Sequence, residues 1–230
     1  MKICGVKNLD TALTAINAGA SFLGFNFVHT SRNYIKKEKA KEIVDQIKGR
    51  VQIVGVFQNE SVERVKEIVA EVGLDLVQLH GSEDNTYCQS LGKPVIKAFM
   101  IPQDFDVEEV EEQMDQYQVG YYMVDREKRG EGEILNPAKV KILAEEYPLF
   151  LAGGLTPENI GQILETVKPF AVDVSSGVET EGIKDMTKIK KFILLVKQAS
   201  QNSQNEQALS RFAQKSDRSF NILGKEKTYG

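Results

Sequence analysis

Eight short runs rich in β-branched and aromatic residues recur roughly every 25 residues along the chain, and a segment of helical period separates each from the next. The runs are KIC (2–4), FLGFNFV (22–28), VQIVGVF (51–57), LDLVQLH (74–80), PVIKAF (94–99), GYYMVD (120–125), PLFLAGG (148–154) and AVDVSS (171–176). Several are apolar on both alternating sets, as strands buried on both faces of a parallel sheet must be. Among the intervening segments, SVERVKEIVAEVG lines Val62, Val65, Ile68, Val69 and Val72 along one face, with Ser61 placed as N-cap and Gly73 as C-terminal cap. TPENIGQILETV offers Thr156 as N-cap and Pro157 at the first helical position. Segments 8–18, 37–48, 83–91, 106–117, 137–146 and 185–198 also read as helices. This alternation predicts the α/β class and a (β/α)8 TIM barrel. A doubly wound open sheet is the alternative, but it needs fewer strands, and the first turn, CGVKNLD, lacks a glycine-rich dinucleotide fingerprint.

The alternation stops at about residue 199. The barrel domain is therefore expected over 1–199, with residues 200–230, rich in Ser, Gln, Asn and Lys, as a disordered polar tail in which ALSRFAQ could form a helical turn or two. The 29 basic and 33 acidic residues are dispersed and give a net charge of −4, so neither nucleic acid nor a membrane surface is an expected partner. Two cysteines, Cys4 and Cys88, are too few for a disulfide framework and have no histidine neighbours with which to hold a metal. With no signal segment and no apolar stretch of about eighteen residues, a cytoplasmic location is expected.

Barrels of this kind carry their chemistry at the C-terminal ends of the strands. The residues there include Cys4, His80, Lys97, Asp125, Gly153, Gly154, Asp173, Ser175, Ser176 and Gly177. The turns AGGLTPEN and DVSSGVE follow the last two strands, where glycines let backbone N–H groups approach a phosphate and serine hydroxyls add donors. Taken singly, each is also an ordinary tight turn. Asp125 ends the apolar strand YYMVD, and partial desolvation there suits a carboxyl to donate a proton, although a strand-end aspartate paired with an arginine reads the same way. Free cysteine packs as a small hydrophobe, so Cys4 alone reads as core filler. Its place at the same rim as Asp125 sets a thiol and a carboxyl across one mouth, an arrangement able to isomerise a small phosphorylated substrate. His80 is a candidate acid or base, or a group that orients its neighbours.

In this order, KICGVKN, GFNFVHTSRNYI, VGVFQNES, VQLHGSED, PVIKAF, AGGLTPENI and DVSSGVE resemble the phosphoribosylanthranilate isomerases of tryptophan biosynthesis, over the whole chain except its tail. The resemblance implies a cofactor-free Amadori rearrangement of N-(5-phosphoribosyl)anthranilate to 1-(2-carboxyphenylamino)-1-deoxyribulose 5-phosphate by an aldose–ketose isomerase. It assigns Cys4 as general base at sugar C2 and Asp125 as general acid at the ring oxygen. Phosphate falls to Gly153, Gly154, Ser175, Ser176 and Gly177, while Asp173 and His80 line the pocket. The family's Ser-x-Arg grip on the anthranilate carboxylate is altered here: TSRNYI places Arg32 beside Ser31 and Asn33 at the arginine position, so Arg32 must reach through a shifted loop. The loop REKRGEGEILN is short for the family, with Gly130 and Gly132 expected to keep its turn and Arg126 an added candidate for a charge contact. A monomer or homodimer is expected, and association with other enzymes of the pathway stays open. Two rivals stand beside this reading: an epimerase or indole-glycerol-phosphate-synthase-like barrel, the latter drawing on Lys97, and a catalytically silent binding barrel.

Overall fold

The computed structural model describes residues 1–127 and 134–201. The expected turn at Gly130 and Gly132, and the tail from residue 202 onward, lie outside them. Strands β1 (Lys2–Cys4), β2 (Phe22–Asn26), β3 (Gln52–Phe57), β4 (Leu76–Leu79), β5 (Val95–Ile101), β6 (Tyr121–Arg126), β7 (Leu149–Leu151) and β8 (Ala171–Val174) close into one barrel in chain order. Every pairing is parallel, and β8 returns to β1. The closed barrel settles the choice against an open doubly wound sheet.

Helices α1 (Leu9–Ala18), α2 (Lys37–Ile47), α3 (Val62–Val72), α4 (Asn85–Ser90), α5 (Val107–Met114), α6 (Pro137–Glu146) and α7 (Ile160–Thr166) alternate with the strands, and α8 covers 186–201. The expected caps of α3 form: Ser61 accepts from Arg64 N–H, and Gly73 sits at φ 80°. Helix α7 starts at Ile160, three residues later than Thr156 and Pro157 imply. Thr156 still caps the turn, its Oγ1 accepting from Glu158 N–H at 3.2 Å, while Asn159 reaches back, accepting from Thr156 N–H at 2.8 Å and donating to Gly154 O at 2.8 Å. Strand β7 stops at Leu151, short of the apolar run PLFLAGG, because Gly153 (φ 89°) and Gly154 (φ 72°) leave the extended region. After β8 a single 3₁₀ turn (Ser176–Val178) leads into an antiparallel hairpin of β9 (Glu179–Thr180) and β10 (Ile183–Lys184), which the sequence pattern does not announce.

Two apolar cores result. The larger lies between strands and helices, and the smaller fills the barrel with Val54, Leu76, Ile96, Met123, Phe150 and Ala171 among others. Phe150 packs edge-on against Phe22 at 5.3 Å and Tyr121 at 5.5 Å. A packed interior of this kind is no channel, and in barrels of this fold active sites lie at the strands' C-terminal ends. Among the described residues no helix is long and apolar enough to cross a membrane.

Candidate active site

Side chains alternate across a strand, so the residues that fill the interior fix which of their neighbours face the mouth. Leu76 and Met123 are inward, which directs Gln78, His80 and Asp125 inward as well; Ala171 does the same for Asp173 and Ser175. On β1 the inward positions are Lys2 and Cys4. Lys2 is completely buried and its Nζ donates to Asp173 Oδ1 at 3.0 Å, the two residues being register partners across β1 and β8. Cys4 is register partner to Gly24 of β2, and a β-carbon there would lie 2.8 Å from Cys4 Sγ and 3.1 Å from Lys2 Nζ.

The electrostatics of this cluster are mixed. Burial pushes the Cys4 thiol above its ordinary value, Lys2 pulls it down, Asp173 pushes it up and Lys184 pulls it down, and burial prevails. The lowered thiol that efficient base catalysis suggests is therefore not the resting condition of this site. Burial opposes the charge on Lys2 too, but there the Asp173 carboxylate outweighs it and the ammonium is retained.

Three strands from β1 by way of β8 and β7, Asp125 accepts from Arg126 N–H at 2.7 Å, and its Oδ2 lies 3.6 Å from His80 Nε2. Gln78 Nε2 donates to His80 Nδ1 at 3.1 Å, leaving the ring proton on Nε2, directed at Asp125. Burial outweighs the attraction of Asp125 and lowers the His80 pKa, so the ring is neutral at pH 7. His80 therefore orients the Asp125 carboxyl as a dipole. Gly153 is needed beside them, since a β-carbon would sit 2.9 Å from Asp125 Oδ1 and 2.8 Å from Arg126 Cγ.

The turns after β7 and β8 meet. A β-carbon at Gly177 would lie 1.8 Å from Leu155 O, so only glycine lets the β8 turn rest on the β7 turn. Ser175 stands at the junction with β1: its Oγ donates to Cys4 O at 3.4 Å and accepts from Asn33 Nδ2 at 3.3 Å and Lys184 Nζ at 3.2 Å. Ser176 is exposed on the same turn. Glu179, buried in the hairpin, binds Lys184 at 2.7 Å and Arg32 at 2.6 Å. Arg32 is thus held at the rim, about half exposed, while Asn33 turns toward Gly5 and Ser175.

The structure brings Cys4, Asp173 and Ser175 together on one side of the mouth and His80 with Asp125 on another. Lys2, Glu179 and Lys184 were not singled out by the sequence pattern. Their signal was available in part: an inward-facing lysine two residues before Cys4 on a strand must find a buried carboxylate. Lys97 faces away from the mouth. It is buried with Glu83 at 3.0 Å, under the ring of Tyr117 at 5.7 Å, and cannot serve a reaction inside the barrel. His29, in the loop after β2, lies against Tyr34 with ring centroids 4.4 Å apart and planes tilted by 33°.

Comparison with known proteins places this geometry in context. The sequence profile described as N-(5'-phosphoribosyl)anthranilate (PRA) isomerase matches residues 1–194. An N-(5'-phosphoribosyl)anthranilate isomerase of Bacillus cereus is 40% identical over 206 residues, spanning 87% of this chain and 100% of its own length. The crystal structure of phosphoribosyl anthranilate isomerase from Thermotoga maritima is similar with a TM-score of 0.78 at 36% identity, covering 85% of this chain and 97% of that one. A phosphoribosyl anthranilate isomerase in complex with reduced 1-(o-carboxyphenylamino)-1-deoxyribulose 5-phosphate gives a TM-score of 0.75 at 35% identity, with coverage of 85% and 97%.

Proposed function

Because the chain belongs to the N-(5'-phosphoribosyl)anthranilate isomerase family, we propose that it carries out the family's step of tryptophan biosynthesis, the Amadori rearrangement of N-(5-phosphoribosyl)anthranilate, by general acid and base catalysis. The observation that carries this reading is the emergence of the Cys4 thiol and the Asp125 carboxyl inside one barrel mouth, above a closed apolar floor.

In this reading Asp125 gives its proton to the ring oxygen of the aminoaldose as the C1–O bond breaks and the anilino nitrogen forms a double bond to C1. The Cys4 thiolate then takes the proton from C2, and those electrons form a C1–C2 double bond while the nitrogen regains its lone pair. Loss of the C2 hydroxyl proton and protonation at C1 give the ketose, so atoms balance without an oxidant. Gly153, Gly154 and Gly177 open backbone N–H groups to the phosphate, with Ser175 and Ser176 as hydroxyl donors. Arg32 receives the anthranilate carboxylate at the rim, and Asp173 and His80 line the pocket. Each of acid and base supplies about 10²–10⁴-fold, so both are needed.

Synthase-like chemistry loses its lysine, since Lys97 points out of the barrel. The test is the loss of phosphoribosylanthranilate fluorescence on adding the purified chain. Conversion to the ketose is expected; binding without conversion would leave the silent barrel standing.

A further inference from the structure

We propose that Lys2 is the counter-charge of the Cys4 thiolate, a positioning residue whose ammonium, anchored by Asp173, makes Cys4 able to act as a base, and that Gly24 is the residue that leaves room for the pair. The inference rests on Cys4 being the base.

Four observations carry it. Lys2 has no exposure to solvent, so its charge exists only for its neighbours. Asp173 Oδ1 receives one of its three N–H bonds, at 3.0 Å. The thiol and the ammonium border one small volume over Gly24, which a β-carbon would fill at 2.8 Å from Sγ and 3.1 Å from Nζ. The Lys2 ammonium also acts on the thiol as a nearby charge that favours its anion. A buried ion pair contributes little to stability compared with apolar packing of the same volume, so a lysine beneath a thiol calls for a role in the site. That role follows from charge. A thiol buried this far has no water to stabilise its anion, and a fixed cation bordering the same small volume replaces the missing solvation. When Cys4 gives up its proton, the ammonium is shared between Asp173 and the sulfur.

The neighbouring charges set the expected signs. Asp173 faces Lys2 and Cys4 from β8, Lys184 acts on Cys4 from β10, and His80 feels Lys2 from β4 as a neutral ring. Removing the Lys2 charge must raise the thiol's pKa. A merely structural role for Lys2 would make the charge-keeping Lys2→Arg no better than Lys2→Met.

The experiment is the pH profile of iodoacetamide alkylation at Cys4 in the full chain carrying Cys88→Ala, which leaves Cys4 the single thiol. Lys2→Met should move the midpoint upward by about one pH unit or more, slowing alkylation near neutrality about tenfold, while Lys2→Arg, which keeps the charge, should move it less. The acid limb of kcat should follow the same directions. Should Lys2→Met not fold, Gly24→Ala must also raise the midpoint, because its methyl parts Sγ from Nζ. A midpoint that stays put in Lys2→Met, or that moves as far in Lys2→Arg, overturns the inference. Cys4→Ser separates the two claims: if it turns over normally, the reading of Cys4 as base fails and the inference falls with it. If it is inactive while alkylation ignores Lys2, the inference alone fails.

Discussion

Replacing Gly177 by alanine tests whether the contact between the β7 and β8 turns builds the phosphate end of the site. The added β-carbon would lie 1.8 Å from Leu155 O, 2.9 Å from Leu155 C and 3.2 Å from Thr156 Cα. All three are backbone atoms, so no rotamer change relieves the clash. The turns must part by more than about 1 Å before the nearest contact reaches 3.0 Å, below which real β-carbons essentially never approach. Ser175 and Ser176 ride on the displaced segment, and the bonds of Ser175 Oγ, at 3.2 to 3.4 Å, have no slack to follow. A misplacement of about 1 Å costs about 10²-fold in rate, equivalent to about 2.7 kcal/mol of transition-state stabilisation. The expected outcome in a fluorescence assay with phosphoribosylanthranilate is a kcat/KM lower by about 10²-fold, much of it in KM, because a phosphate is gripped in ground and transition states alike. Overpacking should also lower stability by about 1–3 kcal/mol. Gly161→Ala is the control: nothing lies within 4 Å of its β-carbon, so it should leave kcat/KM unchanged and stabilise α7 by up to about 1 kcal/mol. A Gly177→Ala enzyme within threefold of wild type would refute the reasoning.

Other perturbations separate the remaining parts. Arg32→Ala is expected to raise KM with kcat nearly unchanged in the same assay; an unaltered KM would remove Arg32 as the carboxylate contact. Lys97→Met strands the buried Glu83 carboxylate and should cost about 3–5 kcal/mol in denaturant unfolding while sparing kcat, which a catalytic lysine could not do. Burial lowers the His80 pKa from 6.5, so the unfolded chain binds that proton first as the pH falls. Stability should therefore decline on acidification below about pH 6.5, and His80→Gln should flatten this part of the curve of unfolding free energy against pH; an unchanged slope would contradict a neutral, buried ring.

The barrel was legible because its signal is periodic: eight apolar runs and their helical partners need no knowledge of distant contacts. Local chemistry such as the Ser61 and Gly73 caps was legible for the same reason. Boundaries were less legible: α7 begins three residues after its expected start, although Thr156 does accept from Glu158 N–H as a cap. Cys4 and Asp125 were legible as strand ends, but their surroundings were not. Lys2 looks in sequence like a polar start to a short strand, and only closure of β8 onto β1 brings Asp173 beside it from 171 residues away. The β9–β10 hairpin was hidden for a similar reason: two-residue strands have no measurable period, and Glu179 joins them to Arg32 from the loop after β2, far away in sequence.

The central claim is that Cys4 and Asp125 act as base and acid on one substrate. The most direct measurement is kcat for phosphoribosylanthranilate conversion by the wild type, Cys4→Ser and Asp125→Asn, with folding of each verified. Each variant should lose about 10²-fold or more in kcat with a smaller change in KM, the pattern of groups that act in the transition state. Near-normal turnover by either variant would contradict the role assigned to that residue.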